Sequence, residues 1–414
     1  MINIGKPYIV EESINNTEWV SLCSDITYKN ETKTLFFRVG KEWGSYLCAE
    51  KADAFLMAVL PLSLWYGDDI VCDAPVSEKL YWNLMTGYIP AMHEANSFFH
   101  SFSIECDTDA AAYCGKAVGT ALSCGVDSFY TVLSNLNRKK TENFNITHIT
   151  FFNAGACGYF GGEEARKLFF EKTEKYGQVA KDMGLEFVAV DSNISEYLMM
   201  DFDATNTFRN FAVVFALQKL FGMYYYSSGT RFGANRIDPK QSTNYDLLNC
   251  YAFSNENVQF FSVGADKKRV EKIEWIADYP ITYDLLNVCD HGYLKNCGDN
   301  CIKCIRTQIA LYSIGKLDLY KNVFDVEKFN KNKEKYFAKL IAVSPYKTAE
   351  GVYVRESIRK CKEHGVPVPY LSYVIAIPGW IKYSAIAIAS KIKPLRALWH
   401  RIISKRDNIR FGDM

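Results

Sequence analysis

From residue 116 onward, short apolar runs alternate with amphipathic ones, and that alternation limits the folds open to the chain. Residues 117–122, 147–152 and 186–190 are apolar and strand-length, while 127–137 and 163–183 between them carry helical spacing. A helix over 208–221 and a strand over 223–227 continue the series. Such alternation gives βαβ units, because a crossover that returns a strand parallel to its neighbour needs a connection long enough to hold a helix. The expected core is therefore an α/β domain with a mostly parallel sheet and helices on both faces. The flanks read differently. Residues 8–10, 19–28 and 34–39 are β-type, 52–66 is an apolar helical stretch, and a Lys-rich helical segment occupies 326–342. The resulting division is a small α+β N-terminal domain over 1–112, the parallel α/β domain over 113–315, and a helical C-terminal extension over 316–414.

Composition removes some functions. A chain of 414 residues with 49% hydrophobic content can bury the cores of two or three domains. Its 48 Lys and Arg against 47 Asp and Glu leave a net charge of +1, so there is no global basic field of the kind that holds a large nucleic acid. The opening MINIGKPYIVEESINN has no basic segment followed by an apolar one, so a cytoplasmic location is expected. The 13 cysteines agree with that, since Cys23, Cys48, Cys72 and Cys250 stand singly in apolar runs rather than in a disulfide framework.

Chemistry concentrates at TALSCGVDSF, residues 120–129. A strand that feeds a small polar loop and then a helix gathers backbone N–H groups and the positive helix end at one point, which suits an anion. Ser123 and Ser128 add hydroxyls, and Cys124, Gly125 and Val126 supply backbone. The G-x-x-x-x-G-K-[ST] pattern of γ-phosphate loops is absent, and Asp127 stands in the loop instead. An acid beside a phosphate site suits Mg²⁺, which offsets the charge of a departing pyrophosphate. The plainer reading is an ordinary turn with Asp127 as helix cap.

A second cluster is CDHGYLKNCGDNCIKC, which spaces Cys289, Cys297, Cys301 and Cys304 as C-x7-C-x3-C-x2-C. Four thiols in sixteen residues match the demand of tetrahedral Zn²⁺ with no position left open, which indicates a structural zinc. His291 lies among them as a neighbour or substitute ligand.

SCGVDS resembles the SGGxDS loop of the PP-loop ATP pyrophosphatases, a superfamily with a HUP-type parallel sheet; Cys124 departs from the usual Gly. With the four cysteines downstream, the chain is similar to 7-cyano-7-deazaguanine synthase and its QueC-like relatives. The pair Arg209-Asn210 and the run RVEKI from Arg269 also match that family, and the four features keep one order over residues 116–312. The flanks look like those of longer members found with cell-surface glycan or bacterial defence systems. What the resemblance implies is an AMP- and pyrophosphate-forming enzyme, dependent on ATP and Mg²⁺, that adenylates a small carboxylate or amide for C–N bond formation. It implies catalytic roles for Ser123, Asp127 and Ser128, and ATP contacts from the 123–128 loop, Arg209, Asn210 and Arg269. Asn153, after the second strand of the series, stands where the fold would contact adenine. Residue 2 is Ile, so nitrogen would come from ammonia, an amine or a partner protein.

Two alternatives stay open. A sulfurtransferase of the thiouridylase type would need a reactive thiol, for which Cys157 is the placed candidate. A nucleotide-binding scaffold without activity would have no use for a metal-holding acid. Finally, residues 371–406 contain seven Lys and Arg, no acid, and interleaved Trp and Ile, a pattern expected either of a helical segment docked on the protein or of peripheral contact with an anionic membrane.

Overall fold

The protein is seen here in a computed structural model that describes residues 1–14, 17–289, 296–298, 301–344 and 349–389. His291 and the basic residues beyond 390 lie outside the described residues. Contacts divide the chain into two compact units, Met1–Lys267 and Lys268–Met414.

The first unit is built on one eleven-stranded sheet, with Val76–Ser77 and Thr108–Asp109 paired apart from it in a two-stranded sheet. Its strands, in chain order, are β1 (Ile2–Ile4), β2 (Tyr8–Ile14), β3 (Thr17–Tyr28), β4 (Glu31–Gly40), β5 (Ile70–Cys72), β6 (Val76–Ser77), β7 (Ile104–Glu105), β8 (Thr108–Asp109), β9 (Ala117–Ala121), β10 (His148–Asn153), β11 (Glu186–Ser192), β12 (Phe221–Ser227) and β13 (Gln259–Val263). Five of them run parallel in the order β13-β12-β9-β10-β11. The chain thus lays down β9, β10 and β11 outward in one direction, then returns to the other side of β9 for β12 and β13. That reversal is the doubly wound arrangement, and the fold is an α/β one compatible with a Rossmann-like class. β9 and β10 are buried along nearly all their length because both their faces are covered, the condition of a central parallel strand.

Except for β6 and β8, the strands of the first 112 residues extend this same sheet. β4 pairs antiparallel to β11, placing Arg38 opposite Asp191 and Phe37 opposite Ser192, and the order continues through β3, β1, β5 and β7. Helix Asp53–Tyr66 is buried along most of its length, as an apolar helix without a polar face must be, and packs on helix Phe202–Ala216. One apolar core therefore joins Ile2, Leu35 and Phe55 with Phe211, Tyr224 and Phe260. The break between the two compact units falls after Lys267.

The second unit is helical throughout its described residues, from Arg269–Ile276 to Tyr370–Ala389. The Lys-rich segment expected as one helix is two, Val326–Lys331 and Lys333–Val343, divided at Asn332. Its side-chain amide donates to Lys328 O at 3.0 Å while its own backbone leaves helical angles, the competition that makes Asn a poor helix-interior residue. Helix Tyr370–Ala389 runs through Pro378 without a break. No helix among the described residues is long and apolar enough to cross a membrane.

Candidate functional site

The point where the strand order reverses lies between β9 and β12, and crevices at the carboxyl ends of such strands are where doubly wound sheets bind ligands. The loop after β9 is the Ser123–Ser128 segment. Pairing persists one residue past the strand, with Leu122 N donating to Thr150 O at 3.0 Å, and helix Val126–Ser134 begins four residues later. Cys124 between them has φ 57°, in the left-handed region where a Cβ crowds the backbone. Glycine adopts this angle most readily, so a cysteine here is held in a conformation that L side chains disfavour. Its side chain is buried, and burial pushes the thiol up to about 12.

The loop is tied by its own hydroxyls. Ser123 Oγ and Ser128 Oγ are 3.2 Å apart, Gly125 N donates to Ser123 Oγ at 3.4 Å, and Ser128 Oγ donates to Gly125 O at 3.1 Å. Gly125 is the cap residue, so Asp127 stands at the second helical position and does not cap the helix. A Cβ built on Gly229, just past β12, would meet Asp127 Oδ2 at 3.9 Å, so the loops after β9 and β12 converge on this carboxylate. Asp246, Asp127 and Asp203 also act on the Tyr226 phenol at the end of β12, which desolvation first and then these charges raise well above its ordinary value. Three carboxylates, Asp127, Asp203 and Asp246, thus lie around the carboxyl end of β12.

A residue that sequence patterning did not single out is Lys172. It is only 7% exposed, and among the described residues its ammonium has no hydrogen-bond or ion-pair partner. It lies on helix Glu163–Asp182 one turn before Tyr176, whose hydroxyl donates to Ser123 O at 3.4 Å. A crossover helix runs against the strand direction, so one turn back from Tyr176 is about 5 Å nearer the carboxyl edge of the sheet. Its charge reaches both Cys124 and Cys157, in the loops after β9 and β10. The spacing of a Lys on an amphipathic helix gave no sign of this.

The remaining expected residues fall elsewhere. Asn153 is buried at the end of β10 and donates to Asp191 Oδ1 at 2.7 Å. Asp191 in turn accepts from Arg38 Nη2 at 2.5 Å and from Arg166 Nε at 3.1 Å, with Arg166 continuing to Glu196. Asn153 is thus committed to a buried ion network that joins the parallel and antiparallel halves of the sheet. Arg209 does not open a helix: helix Phe202–Ala216 starts seven residues earlier, where Asp201 accepts from Asp203 N and Ala204 N. Its guanidinium is fully buried and donates to Tyr159 O, Ser195 Oγ and Met200 O at 2.9, 3.1 and 2.6 Å, so it is committed to these acceptors rather than to the 123–128 loop. Gly155 (φ 115°) makes room for it, since a Cβ there would meet Phe202 and the guanidinium. Asn210 donates to Asn206 O one turn back in its own helix. Arg269 belongs to the second unit, with its guanidinium 5.9 Å from the Tyr353 ring. Burial pushes the Cys157 thiol up to about 11, which leaves little thiolate for sulfur chemistry at neutral pH.

The four cysteines do come together. The sulfurs of Cys289, Cys297, Cys301 and Cys304 all lie within 4.8 Å of one another, and Cys297 Sγ is 3.7 Å from Cys304 Sγ. Zn–S bonds of ~2.3 Å in a tetrahedron set sulfurs about 3.8 Å apart, so the cluster fits a metal such as zinc with small adjustment. Cys301 caps helix Ile302–Ser313 and accepts from Cys304 N at 3.4 Å, which is how a C-x2-C turn aims two sulfurs at one point. Burial first, then Cys301, raises the Cys304 thiol well above its ordinary range, a state that a bound cation would reverse.

Comparison with family models, curated proteins and solved structures finds no match to this chain.

Proposed function

We propose that the chain is an ATP pyrophosphatase of the PP-loop type that adenylates a carboxylate or amide oxygen for C–N bond formation, within a HUP-type variant of its α/β fold. The observation that carries this reading is the Ser123–Ser128 loop: it occupies the strand-order reversal, and Cys124, at the position where the SGGxDS pattern has Gly, holds a left-handed angle that favours glycine. In the proposed reaction the acceptor oxygen attacks the α-phosphorus, and the bond from that phosphorus to the bridging oxygen breaks. Pyrophosphate leaves with the electron pair into the N–H groups of the loop. An amine or ammonia nitrogen then attacks the activated carbon, AMP leaves with the C–O electron pair, and the nitrogen sheds a proton. Mg²⁺, with Asp127 as its holder, would supply positive charge against the phosphates of ATP. Lys172 adds a fixed cation on the pyrophosphate side. Positioned charges of this kind act without rearrangement as charge develops, so positioning and electrostatics suffice for catalysis.

The zinc cluster takes the structural role, since four protein sulfurs leave no open coordination position. The test is incubation with ATP, Mg²⁺ and candidate carboxylates or amides while pyrophosphate, AMP, ADP and phosphate are followed. Pyrophosphate and AMP in equal amounts are expected, and ADP with phosphate would sink the reading. Asp127→Ala is expected to abolish turnover with the fold intact, and Lys172→Met to lower it by about 100-fold, the scale of one lost transition-state contact.

A further inference from the structure

Helix Tyr370–Ala389 is packed inside out for a helix in water. Its buried positions are small, with Ser372 and Ala376 almost inaccessible. Gly379 lies so close to helix Lys333–Val343 that a Cβ on it would meet the Ala342 Cβ at 2.7 Å. The large apolar side chains point away: Leu371 is 55% exposed, Trp380 49%, Ile381 57% and Ile388 62%. A helix packed in water buries its large residues, and a contiguous exposed apolar surface of this sort marks contact with another apolar phase. Small residues toward the neighbouring helix with large ones outward is the arrangement used where the outer phase is lipid.

We infer that this face docks on the surface of an anionic bilayer, lying along the interface rather than crossing it. Charge argues for lipid over a protein partner. Helix Tyr370–Ala389 contains no acid, and its cation is Lys382. The sequence that follows adds Lys391, Lys393, Arg396, Arg401, Lys405 and Arg406 before the first acid, Asp407. An apolar, aromatic-bearing face continued by cations alone matches the acyl and headgroup layers of an acidic membrane in that order. Beside the face, Ile341, Ile358, Ile377 and Trp380 line a groove of about 420 Å³, with Lys362 among its lining residues, dimensions and chemistry that suit a lipid chain below a phosphate. This inference does not depend on the ATP chemistry.

The test is cosedimentation of the full chain with phosphatidylcholine vesicles and with phosphatidylcholine vesicles containing phosphatidylserine. Binding is expected to the second only, and to weaken by at least about tenfold as salt screens the headgroups. The double variant Trp380→Glu, Ile381→Glu alters exposed positions and is expected to lose vesicle binding while circular dichroism and metal content stay unchanged. Absence of binding, or equal binding to neutral vesicles, would overturn the inference. So would undiminished binding by the double variant, which would assign the affinity to the basic stretch alone. A dimer in solution that the double variant dissolves, without vesicle binding by the parent, would make the face a self-association surface instead.

Discussion

At Cys124 two demands meet in one residue. The backbone angle favours glycine by about 1 kcal/mol, while the buried thiol contributes a similar amount through the apolar surface it removes from water. Cys124→Gly is therefore expected to leave the urea midpoint nearly unchanged and to retain pyrophosphate release. Cys124→Val keeps the apolar volume but puts a branched Cβ at positive φ, and is expected to cost about 2 kcal/mol or more and to abolish turnover. Equal behaviour of the two variants would show that the angle is not what the loop needs. The succession of strand, small polar loop and helix around Cys124 was legible in the sequence, because the three follow one another within ten residues. Lys172 was not: its position over the loop depends on how the crossover helix lies across the sheet, some fifty residues away in the chain. Arg209 failed for a related reason. A guanidinium at a helix start and one stapling three acceptors in the interior look alike in sequence, and only packing separates them.

At the scale of elements, hydrophobic periodicity located most strands and helices, and local side-chain chemistry moved their ends. Asp201 caps a helix well before the apolar run begins, and Asn332 divides one helical pattern into two. β10 carries a testable consequence at its first residue. His148 packs against Trp43 and Phe221, and burial lowers its affinity for a proton below the ordinary value. The unfolded chain then binds more protons than the folded one in this range, so stability rises with pH. The contribution is fully present above the unfolded histidine pKa of about 6.5 and is lost as pH falls toward the depressed folded value. Thermal melts are expected to show a lower Tm on acidification through that window, and His148→Phe is expected to flatten this limb. An unaltered pH profile in the variant would assign the loss to other groups.

Across the whole molecule, two compact units carry different kinds of stabilisation. Met1–Lys267 rests on an eleven-stranded sheet with a continuous apolar core, whereas Lys268–Met414 combines helices with a cluster of four cysteine sulfurs. Structural zinc contributes binding free energy on the order of 10 kcal/mol to the fold it closes. A strong chelator, or Cys301→Ser, is expected to remove about one zinc per chain, as one tetrahedral four-sulfur site requires, and to lower the calorimetric transition of the helical unit while leaving that of the sheet unit near its original temperature. Full zinc loss without any change in either transition would deny the metal a structural role. The sequence by itself determined the α/β alternation, the strand-loop-helix succession at 120–129 and the metal-type cysteine spacing, because each is a local pattern complete within a few residues. Only the tertiary structure decided that the N-terminal strands join the same sheet, that β9 and β12 flank the strand-order reversal, and that Tyr370–Ala389 turns its large residues outward. Strand order and the choice of buried face are set by contacts between segments far apart in the chain, and no spacing within a segment records them.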